Sequence, residues 1–197
     1  MLNDNGSINP LLALQDWLDD LSYKKNKALL TELLALTPTD ILLDIGGGTG
    51  MIVDQILAKT SCEGYIVELE QKKLLYAAKK RKNINLVNAS ADFIPFQYEY
   101  FSKVISIVAF HHFSDQDSAL EEIKRVLKPG GSLILNEIDP STFKGKIVSF
   151  GENTLKKMNC KYYSPSQLHE KVKAHAYQEI SITHAPIGYF LSARKPV

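Results

Sequence analysis

Four groups of residues in this chain have the types and spacing to do chemistry. Leu42-Leu43-Asp44-Ile45-Gly46-Gly47-Gly48-Thr49-Gly50 places a carboxylate just ahead of glycines 46, 48 and 50. Glu68 closes a short apolar run, Ser90-Ala91-Asp92 lies in a polar stretch before Ile94-Pro95-Phe96, and His111-His112 follows a second apolar run. Glycines at such positions let the backbone turn with positive φ and let a ligand approach the main chain. A helix that starts just after them aims its free N–H groups at that ligand. A carboxylate at the end of the following strand can accept both hydroxyls of a ribose. Together these features describe a nucleotide-like site, with a surface acid beside Lys72 as the alternative reading of Glu68.

The adjacent histidines raise a catalytic or a metal reading. No Cys, Asp or Glu stands at supporting ligand spacing along the chain, and neighbouring residues rarely aim both rings at one ion, so no metal is expected. His112 is expected to make a structural hydrogen bond at the site floor, with a role as base for His112 or His111 as the alternative. The two cysteines, Cys62 and Cys160, are far apart and show no metal-ligand spacing.

The elements that must position these groups follow from periodicity. Ile41 to Ile45 is apolar except for Asp44, the pattern of a parallel strand covered on both faces, and such strands bind ligands at their carboxyl ends. Met51 to Lys59 reads as the helix that follows. Tyr65 to Leu69, Asn83 to Val87, Val104 to Val108 and Ser132 to Glu137 read as four further strands, with helices at Gln71 to Lys82 and Ser118 to Leu127. For the latter helix, Ser114 to Asp117 supplies cap chemistry, Ser118 and Glu121 suit a capping box, and Glu121 pairs with Arg125 at i,i+4. Ahead of the sheet, amphipathic helices are expected over Pro10 to Leu21 and Tyr23 to Leu36, with Trp17 and Tyr23 as lid candidates. Beyond it come a helix within Asp139 to Cys160, another capped by Ser164 with Pro165 at its first position, and a closing hairpin of Tyr177 to His184 and Ile187 to Arg194.

At 197 residues the chain suits one domain: leading helices over 1–37, a ligand-binding core over 38–138, and substrate-side helices with a closing hairpin over 139–197. A formal net charge of +1 provides no field for steering to nucleic acid or an anionic surface. The run Lys79-Lys80-Arg81-Lys82 suits the cation-favouring end of a helix. Neither a membrane span nor a signal peptide is evident, and a cytoplasmic location is expected. Oligomeric state is not legible.

Taken together, Leu43 to Gly50 resembles the first motif of class I methyltransferases that use S-adenosylmethionine, of the small-molecule type 11 kind. A dinucleotide fingerprint would need a small residue where Met51 stands. Glu121 to Gly131 also resembles that family's Glu-Ile-x-Arg-Val-Leu-Lys-Pro-Gly-Gly signature, and Asn88 to Phe96 its adenine-binding loop. In that loop Ser90 replaces the usual Asp, a weaker partner for the adenine amino group, with Asp92 two residues on. Phe101-Ser102 replaces the family's Phe-Asp. The resemblance spans about Ile41 to Glu137. It implies a Rossmann-like three-layer α/β sandwich whose seven-stranded, mostly parallel sheet has an antiparallel last strand. It implies S-adenosylmethionine contacts from Asp44, Gly46, Gly47, Gly48, Gly50, Glu68, Leu69, Ser90, Ala91, Asp92 and Ile107, with Phe93 a possible flank to adenine. Enzymes of this kind that methylate nitrogen in nucleic acid or protein often carry Asn/Asp-Pro-Pro-Tyr after the fourth strand. Ile107-Val108-Ala109-Phe110 stands there instead, so a small-molecule acceptor is expected. The alternatives are a cofactor-binding regulator without turnover and a nicotinamide oxidoreductase.

Overall fold

The computed structural model describes residues 23–155 and 159–197. Its strands are β1 (Ile41–Ile45), β2 (Glu63–Glu68), β3 (Asn85–Asn88), β4 (Phe101–Ile107), β5 (Leu127–Glu137), β6 (Gln178–His184) and β7 (Tyr189–Arg194). They form one sheet in the order β3-β2-β1-β4-β5-β7-β6. All neighbours from β3 to β5 are parallel, while β7 runs antiparallel to both β5 and β6. The chain therefore walks outward from β1 to β3 and returns beside β1 with β4. At that reversal the loops leaving β1 and β4 diverge and open a crevice outside their carboxyl ends.

Helices cover both faces: α1 over 23–34, α2 (Met51–Leu57), α3 (Gln71–Lys80), α4 (Gln116–Val126) and, after the largely exposed α5 (Phe143–Phe150), α6 (Pro165–Ala174). The continuous apolar strands explain why two layers are needed. Leu43, Ile45 and Val104 pack with Leu120 and Ile123 of α4 and Leu168 and Val172 of α6. Leu42, Ile105 and Ile134 point the other way, against Leu30 and Leu34 of α1 and Met51 and Ile56 of α2. Each of these fully buried aliphatic side chains contributes roughly 1.5–3 kcal/mol by leaving water.

Several local expectations are revised. The cap of α4 is Asp115, whose carboxylate accepts from the N–H groups of Asp117 and Ser118, so Ser118 lies inside the helix. Arg125 pairs with Glu122 rather than Glu121, because Glu122 also accepts the N–H of Ile94 while the guanidinium donates to the carbonyls of Ile94 and Phe96. β5 begins at Leu127, ahead of the Pro129-Gly130-Gly131 corner. The hydroxyl of Ser102, where the family has Asp, accepts from Ile41 N–H and donates to Asp40, tying the start of β1 to β4. Between Asp139 and Cys160 the helix is short, α5 passing into a π turn at Gly151–Leu155. The capping box at Ser164 with Pro165 opening α6 is as expected. The helix expected over Pro10 to Leu21, Trp17 included, lies outside the described residues.

Candidate active site

The crevice between β1 and β4 widens into a cavity of about 900 Å³. One end is built by main chain. β1 delivers Asp44 and then turns sharply at Gly46, whose φ is +75° and whose N–H is held by the carbonyl of Val67 at 2.8 Å. A Cβ on Gly46 would stand 2.6 Å from that of Ala109, and one on Gly47 would stand 2.5 Å from Ile66 Cγ2. A side chain fits at neither Gly46 nor Gly47, so a ligand meets bare backbone there. Gly50 has another job. It is the left-handed residue before α2, it faces Ile84 and Ile66, and it does not line the cavity.

The two carboxylates differ. Glu68, at the end of β2, is buried; one oxygen accepts from Gly48 N–H at 3.0 Å and the other from Glu70 N–H at 2.8 Å. Two N–H donors fix the carboxylate plane, and each oxygen retains a lone pair for a ribose hydroxyl. Asp44 is 2% exposed, and its Oδ1 is buried without a hydrogen-bond partner. Burial, with Glu68 nearby, pushes its carboxyl up to about 8. A buried acid in that state is suited to receive a cation, which would return it to the charged form.

Gly46, Gly47, Gly48, Glu68, Leu69, Ser90, Ala91, Asp92 and Ile107 line the cavity with Asp44. Leu69 is 69% exposed, an apolar side chain left at the rim where a flat base can cover it. Phe93 does not line the cavity; it is 73% exposed on the outer side of the loop.

The other end is built by side chains, and sequence reasoning found few of them. Tyr23, Asn26 and Leu30 of α1 line it together with Asn136 and Phe190. Asn26 donates to Asn136 Oδ1 at 3.3 Å and to the carbonyl of Ile187 at 2.9 Å, and accepts from Ile187 N–H at 3.2 Å. Asn136 in turn donates to the carbonyl of Tyr189. These bonds dock α1 on β5 and β7; a polar residue on the buried face of a helix is the one signal that marks Asn26. Val108, also lining the cavity, holds a φ of 52°, unfavourable for a β-branched residue, as its N–H bonds the carbonyl of Asn136.

His111 and His112 part company. Both sit in a 3₁₀ turn, Phe110–His112. His112 lines the cavity, whereas His111 is buried behind it with Nδ1 2.7 Å from Glu137. The expectation that no acid or cysteine supports the pair fails in space: Glu152 reaches His111 Nε2 at 3.5 Å, and Cys160 Sγ lies 3.0 Å from His112 Nδ1. Linear spacing hid them because they arrive from the segment after α5. His112 thus has a polar contact near the floor, as expected, but to a thiol.

Comparisons with known proteins agree with this geometry. The methyltransferase domain family matches residues 43–135. The ubiquinone/menaquinone biosynthesis C-methyltransferase UbiE of Wigglesworthia glossinidia brevipalpis is 29% identical over 195 residues, 84% of this chain and 78% of that protein. An uncharacterized methyltransferase of Bacillus subtilis, YdaC, is 30% identical over 129 residues, 62% of this chain and 70% of its own length. Among solved structures, a chain from the Haloferax volcanii complex of the Trm112 methyltransferase activator with a methyltransferase has the same fold, at TM-score 0.77 and 18% identity, covering 97% of this chain and all of that one.

Proposed function

The chain belongs to the S-adenosylmethionine-dependent methyltransferases, and on that premise we propose that it moves the methyl group to a small-molecule acceptor held at the His112 end of the cleft. The observation that carries this reading is the continuity of the cavity: one space runs from the glycine loop and Glu68 to Tyr23, Asn26 and His112. The cofactor brings an already activated sulfonium methyl, so the protein's work is approach geometry and exclusion of water.

In this reading Glu68 holds the ribose, Leu69 covers one face of the adenine, and Ser90, Ala91 and Asp92 border its edge. Gly46 to Gly48 admit the amino-acid portion, and Asp44 balances its positive charge. Ile107 forms the floor. α1 closes the acceptor side, with Asn26 and Asn136 fixing its angle over the cleft. Acceptor chemistry is suggested first by the Wigglesworthia relative, a C-methyltransferase of ubiquinone and menaquinone biosynthesis, which makes a hydroquinone-type ring the first compound to offer.

Calorimetric titration with S-adenosylhomocysteine, run beside Glu68→Ala, tests the cofactor half. Saturable binding that the variant loses supports the assignment; equal binding by both removes Glu68 from it. A panel of hydroquinones, phenols, amines and a tRNA or peptide substrate, read by methyl-group incorporation, tests the acceptor half. Turnover on a macromolecule alone would refute a small-molecule acceptor.

A further inference from the structure

His111, His112, Glu152 and Cys160 each offer one ligand atom, and the four atoms lie within 4.8 Å of one another. Three of the six pairs are 3.5 Å from His111 Nε2 to Glu152 Oε2, 3.6 Å from Cys160 Sγ to the same oxygen, and 3.0 Å from His112 Nδ1 to Cys160 Sγ, so a bound ion would spread the last pair slightly. Bonds of about 2.0–2.3 Å to N, O and S place ligands about 3.3–3.8 Å apart around a tetrahedral zinc ion. We propose that these four side chains form a zinc-type metal site at the acceptor end of the cleft.

The surroundings of His111 favour a cation at this point. Glu137 lies 2.7 Å from its Nδ1, and both groups are buried. Once Nδ1–H donates to that carboxylate, Nε2 carries a lone pair, and it faces a second carboxylate, Glu152. A metal ion held between Nε2 and Glu152 would be bonded by both. Carboxylate–histidine pairs of this kind commonly fix the tautomer and raise the basicity of a metal-binding imidazole. Tyr162 adds to the outer shell, stacking on His111 with ring centroids 4.3 Å apart and donating its hydroxyl to Glu152. Zinc suits a set of two imidazoles, a thiolate and a carboxylate better than the hard cations do.

Backbone bonds bring the ligands together without help from the ion. Lys161 N–H donates to the carbonyl of His111 at 2.9 Å, and the Asn153 side chain bonds both N–H and C=O of Cys160. The metal would therefore lock a clamp that the chain already forms, fastening the segment after α5 to the 3₁₀ turn. His112 and Glu152 also line the cavity, so the ion would lie within reach of an acceptor's heteroatom.

Full-length protein, stripped by chelation, should take up about one equivalent of Zn²⁺ or Co²⁺. The Co²⁺ form should show a thiolate-to-metal charge-transfer band and the intense visible bands of a tetrahedral site. Cys160→Ser should abolish the charge-transfer band. Glu137→Gln should keep it while weakening affinity about 10- to 100-fold. Far-UV circular dichroism and S-adenosylhomocysteine binding, measured on every variant, separate loss of metal from loss of fold. Binding of Co²⁺ without the charge-transfer band, equal uptake by Cys160→Ser, or no stoichiometric uptake by the folded protein would each overturn the site while leaving the cofactor assignment intact.

Discussion

At the glycine-loop end the cleft is built chiefly of main chain and one acid at the carboxyl end of each of two neighbouring strands, whereas at the His112 end it is built of side chains gathered from distant parts of the chain. Gly48 and Glu68 meet across 20 residues in a single β-α-β unit. Asn26 meets Asn136 across 110 residues and Ile187 across 161. A site made from backbone geometry is tied to the fold itself and tolerates change around it. A site made from convergent side chains can be re-specified by single substitutions, which suits the end proposed to select the acceptor.

The strongest way to break this contrast is Glu68→Ala. Removing two ribose hydrogen bonds to a charged group, at roughly 1.5–3 kcal/mol each, should weaken S-adenosylhomocysteine binding about 10²- to 10⁴-fold. If the two ends are separable, metal uptake at the His112 end stays unchanged in the same variant.

Next in size is the pH response of the glycine-loop end. Asp44 has its carboxyl raised to about 8 by burial. An acid with a raised folded-state pKa keeps its proton between about pH 4 and 8 while the unfolded chain has already released it. Stability of the cofactor-free protein contributed by this group therefore falls as pH rises through that window and levels off above it. A cationic ligand favours the ionised form, so its affinity should rise with pH up to about 8, approaching tenfold per unit below it, with proton release on binding. Calorimetry in buffers of different ionisation enthalpy reads that release directly. Asp44→Asn should flatten the dependence.

A smaller effect is expected from Asn26→Ala, which leaves Ile187 N–H and Asn136 Oδ1 without this partner. It should cost about 1–3 kcal/mol in denaturant unfolding. Because α1 borders the end of the cleft proposed for the acceptor, KM for the acceptor should rise more than the dissociation constant for S-adenosylhomocysteine. Equal losses at both ends would show that α1 is a lid over the whole cleft. The smallest effect is at Val108→Gly: relief of a left-handed valine, worth roughly 1–2 kcal/mol, is offset by lost packing and added chain entropy, for a net change of about 1 kcal/mol or less.

Much of the glycine-loop end was legible because its signals are local. Asp44, the glycine turn and Glu68 occupy fixed offsets in one crossover unit, and β1 was read to the residue. Gly50 shows the limit of that legibility. Its spacing matches the loop, yet its left-handed φ serves the helix start, and whether a glycine admits a ligand or a turn depends on what stands opposite. The cap of α4 falls within the stretch expected to supply it, but the Ser118 and Glu121 capping box and the partner of Arg125 were misread for the same reason. Asp115 and Glu122 win because each satisfies backbone N–H groups that a one-dimensional pattern does not display.

Among the described residues, no helix is long and apolar enough to cross a membrane. The sequence by itself determined the succession of strands and helices from β1 to β7, the burial of the central strands on both faces, and the carboxylates and glycines that meet at the carboxyl ends of β1 and β2, since these follow from hydrophobic period and backbone freedom. Only the tertiary structure decided that Glu137 and Glu152 lie either side of His111, that Cys160 reaches His112, and that Asn26 docks α1 over the cleft. Such contacts join residues whose separation along the chain carries no periodic trace, and they exist only once the sheet has set the distances between its edges.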